Sequence, residues 1–104
     1  MKALLIIPTY NEIENIGRII PAALSQSPDL QILVMDDNSP DGTGAAVKKM
    51  MESEPRIQLI ERPGKMGLGS AYVTGFKYAL ENGFDYVLEM DADFSHNPAD
   101  LPRL

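Results

Sequence analysis

The chain has 104 residues, 44% hydrophobic and 23% charged, the balance of a single globular domain with one modest core and no disposition to disorder. It has no cysteine, which excludes a disulfide scaffold and thiolate metal sites, and its single histidine argues against an all-protein zinc site. A net charge of −6 argues against a nucleic-acid or anionic-membrane surface, and any phosphate bound here would need a metal, helix N-termini or a few placed cations.

No apolar run approaches the roughly 20 residues of a membrane helix, and Met1 and Lys2 lead straight into a strand-like run, so the expected compartment is the cytoplasm. Residues 3–7 (ALLII) are continuously apolar, as in a strand covered on both faces, and Pro8, Thr9, Tyr10 and Asn11 break the run. Asn11 as N-cap with Glu14 three residues on predicts a helix whose apolar stripe is Ile13, Ile16, Ile20 and Leu24. Pro21 lacks a donor and clashes with the preceding turn, so this helix should kink or end near Ile20.

Residues 31–35 (QILVM) predict a second buried strand, ending in Asp36 and Asp37. The turn segment 38–43 (NSPDGT) follows, with Ser39 suited to cap and Pro40 to open a helix carrying Ala46, Val47, Met50 and Met51. Pro55 closes that helix, and residues 57–60 predict a third strand. The glycine-rich stretch 62–69 leads into a helix with Tyr72, Phe76, Ala79 and Leu80 on one face and Gly83 as its left-handed cap. Residues 86–90 (YVLEM) predict a fourth strand, and Pro98 with Asp100 a further helix.

A βαβ series of this kind requires parallel strands. In the doubly wound order 3-2-1-4, strands one and four adjoin at the switch point, where ligands bind beyond the carboxyl ends. That order brings the loop 8–12, Asp37 and the segment 91–93 to one crevice. Asp91 and Asp93 are spaced so that both carboxylates can face the same side, an arrangement suited to a hard cation shared with nucleotide phosphates. Taken alone, Asp-x-Asp reads equally well as a strand end followed by a turn. Tyr10 suits stacking on a base or covering the core, and Glu12 suits a ligand or a first-turn acid. Of Asp36 and Asp37, which point opposite ways in extended chain, one should reach the crevice. Gly64, Gly67 and Gly69 do not have the spacing of a dinucleotide fingerprint. Lys65 either reaches toward a phosphate or lies in a solvated connection, and His96 either supports the carboxylates or serves a turn.

Four segments, PTYNE at 8–12, DDNSPDGT at 36–43, RPGKMGLGSAYVTGF at 62–76 and MDADFSH at 90–96, occur in an order that resembles the family 2 glycosyltransferases. Within that family the chain is most similar to the dolichol-phosphate (polyprenol-phosphate) mannosyltransferases. The resemblance implies the Rossmann-like parallel sheet of a GT-A domain, with residues 1–104 as its nucleotide-sugar-binding half, truncated after the D-x-D motif and without the acceptor half. It implies that Pro8, Tyr10 and Glu12 hold the guanine nucleotide, with Met35 and Asp37 completing the pocket. Asp91, Ala92 and Asp93 would then meet the diphosphate, with Asp91 and Asp93 as catalytic residues and ligands of Mg2+ or Mn2+. Ser95 stands where some relatives place a glutamine metal ligand, and the basic residues used on the diphosphate fall beyond Leu104.

The implied reaction transfers mannose from GDP-mannose to a polyprenol phosphate with inversion, at the cytoplasmic face of a membrane reached through the lipid acceptor. Three alternatives accompany it. One is a polyprenol-phosphate glucosyltransferase using UDP-glucose. Another is a haloacid-dehalogenase-like phosphatase with Asp91 as nucleophile and Asp93 as acid/base. The third is an inactive nucleotide-binding half-domain that self-associates through the unpartnered Leu101 and Leu104.

Overall fold

Alternation along the first strand divides the molecule into two layers. Leu5 and Ile7 face one side of the sheet and Leu4 and Ile6 the other, all four fully buried, because successive side chains of a strand point to opposite faces. A computed structural model describes residues 2–64 and 68–90, the side chain of Leu68 excepted. In chain order the elements are β1 (Ala3–Thr9), α1 (Ile13–Leu24), β2 (Leu30–Asp36), α2 (Thr43–Met51), β3 (Ile57–Glu61), α3 (Leu68–Glu81) and β4 (Tyr86–Glu89). The strands form one parallel sheet in the order β3-β2-β1-β4, as the βαβ pattern predicts. β1 pairs from Ala3↔Leu30 to Thr9↔Asp36 with β2 and from Ala3↔Tyr86 to Ile6↔Glu89 with β4.

Helices α1 and α2 cover one face. Ile16, Ile19, Ile20 and Ala23 of α1 and Val47 of α2 pack on Leu5, Ile7, Ile32, Val34, Ile57 and Met90. Each fully buried Leu or Ile contributes on the order of 1.5–3 kcal/mol, so this layer supplies most of the molecule's apolar stabilisation. The stripe is rotated from the expected one: Ile19 and Ala23 are inside, whereas Ile13 is exposed. Pro21 neither ends nor interrupts α1, which runs on to Leu24. Pro21 is exposed, as is Gly17 one turn before it, so the carbonyl freed by the missing donor lies on the water side of the helix, where it can tilt outward.

α2 begins at Thr43, with Gly42 at its N-cap in the left-handed region (φ 93°), and Ser39 and Pro40 belong to the preceding loop. It ends at Met51, before Pro55. Its last turn tightens instead, with Glu52 N–H donating to the Lys49 carbonyl at 3.3 Å and Ser53 N–H to that of Met50 at 3.2 Å.

α3 covers the other face, and here the sequence expectation is corrected. Phe76 and Leu80 are exposed, and the buried positions are Ala71, Gly75 and Ala79, one face at i, i+4, i+8. Small residues let the helix axis come close to β1. A Cβ at position 75 would stand 2.9 Å from Ile6 Cγ1 and closer still to its Cδ1. The helix ends as expected at Gly83 (φ 71°): Phe84 N–H donates to the Ala79 carbonyl at 3.0 Å and Gly83 N–H to that of Leu80 at 3.5 Å, the Schellman arrangement. Phe84 then packs on the α3 layer. The helix expected from Pro98 lies outside the described residues, with Leu101 and Leu104.

Two glycine substitutions separate crowding from propensity. Gly75→Ala should lower stability by about 1–3 kcal/mol because it overpacks Ile6. Gly17→Ala, which meets nothing within 4 Å, should raise it by up to about 1 kcal/mol through helix propensity. Urea midpoints of the two variants should therefore move in opposite directions.

Candidate functional site

The polar residues of the fold gather at the carboxyl ends of β1 and β2, where two loops leave the sheet side by side. Thr9 closes β1 and its carbonyl accepts from Asp37 N–H at 3.1 Å, so Pro8 turns its donorless nitrogen to the β4 side. Pairing with β4 has ended there at Ile6↔Glu89, and the missing donor costs no ladder bond. Tyr10 and Asn11 are exposed and Glu12 is half-buried. Asn11 has φ 56°, a left-handed conformation that asparagine tolerates better than most residues.

Asn11 is therefore not the N-cap of α1. Glu12 occupies that position and makes no side-chain cap of its own; among the described residues its carboxylate meets Asn15 Nδ2, at 3.4 Å. The three backbone donors at the start of α1 are taken instead by side chains of the neighbouring loop. Asn11 N–H donates to Ser39 Oγ at 2.9 Å, Glu12 N–H to Thr43 Oγ1 at 3.0 Å and Ile13 N–H to Asp41 Oδ2 at 3.1 Å. Two carboxylates orient the hydroxyls for this task. Ser39 Oγ–H donates to Asp36 Oδ1 at 2.6 Å and Thr43 Oγ1–H to Asp41 Oδ1 at 2.5 Å, so in each case the hydroxyl oxygen is left to accept from β1–α1 backbone. Asp36, 1% exposed, also accepts from Thr9 Oγ1 at 2.6 Å and Ser39 N–H at 3.0 Å.

Asp36 and Asp37 do diverge. Asp36 turns to the α2 side, where its Oδ2 lies 3.3 Å from the Cβ position of Gly44, and Asp37 turns to α3. Neither carboxylate is left open, however. Asp37 is gripped by Arg62 through Nε–Oδ1 at 2.5 Å and Nη2–Oδ2 at 2.8 Å, and Arg62 Nη1 donates to Ser70 Oγ at 3.0 Å in the first turn of α3. Both partners are only 7% exposed, so this is a buried bidentate pair. Met35 is fully buried in the layer beneath α3, which puts its thioether in the core below the crevice.

Pro8, Tyr10, Glu12 and Asp37 are thus brought to one end of the sheet. Asp91, Ala92 and Asp93 lie outside the described residues, as do Lys65, Ser95 and His96. Met90, the last residue described, donates its N–H to the Ile6 carbonyl at 3.1 Å, beside the end of β1. Among the described residues no group of three or more His, Cys, Asp or Glu could hold a metal ion. Asp91 and Asp93, two positions apart in the sequence, are by their chemistry a donor set that suits a hard dication completed by water and phosphate oxygens. Sequence reasoning passed over Asp41, Thr43 and Arg62 as individuals. The available signal was the run of short side-chain acceptors at Ser39, Asp41 and Thr43, the residue types that cap helix N-termini.

The glycosyl transferase family 2 model matches residues 4–104. The chain belongs to that family. Undecaprenyl-phosphate mannosyltransferase of Micrococcus luteus is 46% identical over 104 residues, all of this chain and 43% of that protein. Polyprenol monophosphomannose synthase of Mycolicibacterium smegmatis is also 46% identical over 104 residues, 99% of this chain and 39% of that protein. The chain therefore spans about two fifths of the length of these curated relatives. Among solved structures, mannosyltransferase PcManGT of Pyrobaculum calidifontis in complex with GDP-Man and Mn2+ matches with a TM-score of 0.81 and 29% identity, over 95% of this chain and 29% of that one. TarS 1-349 of S. aureus matches with a TM-score of 0.79 over 99% of this chain and 31% of that one, at 23% identity, a likeness of fold. The sheet is that of GT-A glycosyltransferases. Family membership sets aside the haloacid-dehalogenase reading, whose motif belongs after the first strand of its domain, whereas here it follows the fourth.

Removing Arg62 tests the buried pair. Arg62→Ala should cost about 3–5 kcal/mol in chemical denaturation, because it strands a buried carboxylate; a loss below about 1 kcal/mol would contradict the pairing. For Asp41, burial works against the charge, but hydrogen bonds from the Thr43 hydroxyl, Ile13 N–H and Thr43 N–H outweigh it and hold the carboxyl below its ordinary value. A depressed folded-state value means that this stabilisation is fully present above the unfolded-state range near pH 4 and fades as pH falls through the folded value. Asp41→Asn should therefore be less stable than the parent by about 0.5–2 kcal/mol at pH 7, with the gap between urea midpoints narrowing as pH falls below the unfolded-state range.

Proposed function

We propose that this chain forms the nucleotide-sugar half of an inverting glycosyltransferase that moves mannose from GDP-mannose to a polyprenol phosphate. The observation that carries the reading is the convergence of the loop after β1 and the loop after β2 at the carboxyl edge of a family 2 sheet, with the D-x-D segment following β4 in sequence. The names of the two relatives, each 46% identical, favour a mannosyl donor and a polyprenol-phosphate acceptor. The likeness to a mannosyltransferase solved with GDP-Man and Mn2+ favours a guanine nucleotide and a divalent cation.

In this reading Tyr10 stacks on the base at the crevice mouth, Pro8 and Glu12 flank the nucleoside, and Met35 and Asp37 form the floor. Asp91 and Asp93 would hold Mg2+ or Mn2+, which would supply positive charge to offset the negative charge developing on the departing diphosphate, and Ala92 would belong to the same diphosphate-binding segment. The acceptor phosphate monoester, with a second pKa of about 6, is already dianionic near neutral pH and needs no strong protein base. Its oxygen forms a bond to the anomeric carbon from the face opposite the nucleotide. The carbon–oxygen bond to GDP breaks with its electron pair on the leaving diphosphate, and the configuration inverts. In this reading the polyprenol tail keeps the acceptor in a membrane, and the transfer takes place at its cytoplasmic face. Among the described residues no helix is long and apolar enough to cross a membrane.

Calorimetric titration tests the proposal. GDP-mannose should bind in the presence of Mn2+, more tightly than UDP-glucose and at least tenfold more weakly without metal, and Asp93→Ala should remove the metal dependence. Binding indifferent to metal and to Asp93→Ala, or a preference for UDP-glucose, would contradict it.

A further inference from the structure

The β1–α1 loop carries two of the residues proposed to hold the nucleotide, yet its own N-cap residue makes no side-chain cap on α1. Asn11 sits in a left-handed conformation, Glu12 provides no cap, and Tyr10 and Asn11 are exposed. What fixes it is a second loop, and within that loop one carboxylate has a double role. Asp41 Oδ1 accepts from both Thr43 N–H at 3.0 Å and Thr43 Oγ1–H at 2.5 Å, and Asp41 Oδ2 accepts from Ile13 N–H at 3.1 Å. A single side chain therefore serves the N-termini of α1 and α2 at once.

The direction of the Thr43 hydroxyl is the decisive detail. Thr43 is fully buried and its one proton goes to Asp41, so its oxygen must accept, and it does so from Glu12 N–H at 3.0 Å. Without the Asp41 carboxylate the hydroxyl could rotate and point its proton at Glu12 N–H, turning an attraction into a repulsion between donors. Neutral asparagine at position 41 could not replace both oxygens, since one would become a donor. We infer that Asp41 is a positioning residue for nucleotide-sugar binding: through Thr43 and Ile13 it fixes the backbone of Glu12 and Ile13, and so holds Tyr10 and Glu12 over the crevice. The inference rests on the reading of that crevice as the donor site. It assigns the second half of the 36–43 segment a part in binding without contact with ligand.

The test pairs binding with local protection. GDP-mannose is titrated with Mn2+ against the parent, Asp41→Ala, Tyr10→Ala and the double variant, at a temperature where all are folded. Amide exchange at Glu12 and Ile13 is followed alongside. Asp41→Ala should weaken binding at least tenfold, and in the Tyr10→Ala background should add less than threefold, because both changes act on one loop. A role confined to overall stability would instead leave the affinity of the folded fraction unchanged or give additive losses, and either result would overturn the inference. Should Asp41→Ala fail to fold, Thr43→Val removes the accepting hydroxyl at nearly constant shape and should show the same loss and the same coupling. Should the parent bind no donor, the functional reading fails by itself and exchange decides: Glu12 and Ile13 amides exchanging at least tenfold faster in Asp41→Asn, with the β2 amides unchanged, support the positioning role, and unchanged Glu12 and Ile13 amides overturn it.

Discussion

The architecture of the crevice depends on a shortage of local capping at the start of α1. A helix leaves four backbone donors without intrahelical partners, and here those at the turn into α1 find acceptors some 28 to 31 residues away, in Ser39, Asp41 and Thr43. That transfer of capping from one loop to another docks the β1–α1 and β2–α2 connections as a unit. Asp36 anchors the assembly to the sheet through Thr9. Because the acceptors lie on a loop whose own helix, α2, packs on the same face as α1, the loops are held from below by the core as well as across by hydrogen bonds.

The same network answers a problem posed by the composition. An acidic chain that is to bind phosphate must keep its carboxylates from repelling the ligand. Asp36 is satisfied by two hydroxyls and a backbone donor, Asp41 by Thr43 and Ile13, and Asp37 by the Arg62 guanidinium. Only the Asp37 charge is cancelled, by Arg62; those of Asp36 and Asp41 remain but are turned on internal donors, in a setting where such bonds are stronger than in water. In the proposed reading the pair left for a cation is Asp91 and Asp93.

Strand order was legible in the residues because β1 and β2, buried on both faces, read as nearly unbroken apolar runs, and four strand segments separated by helical periodicities leave few parallel topologies. The packing face of α3 was not. Phe76 and Leu80 are among its large apolar residues, yet the helix meets β1 through Ala71, Gly75 and Ala79, because close approach over Ile6 rewards small volume over hydrophobicity. Pro21 misled for a related reason: its cost is small when the freed carbonyl faces water. The capping of α1 was illegible in another way. Asn11 and Glu14 carry a local capping signature, but the acceptors that won are distant in sequence, and only the sheet register brings Thr9 opposite Asp36. The two aspartates of the D-x-D segment were the plainest chemical signal in the chain, and they lie outside the described residues.

The central claim is that ligand binds over the docked loops at the carboxyl edge of the sheet. The molecule also has an apolar groove of about 430 Å³ near its opposite edge, lined by residues that include Ile20, Leu24, Met50 and Ile57, so the claim has a concrete rival location. Amide chemical-shift mapping of the isotopically labelled chain during titration with GDP-mannose and Mg2+ decides between them. The account predicts shifts concentrated at Thr9 to Ile13 and Asp36 to Thr43. Shifts centred on Ile20, Leu24 and Ser53 to Ile57, with the two loops unmoved, would contradict it.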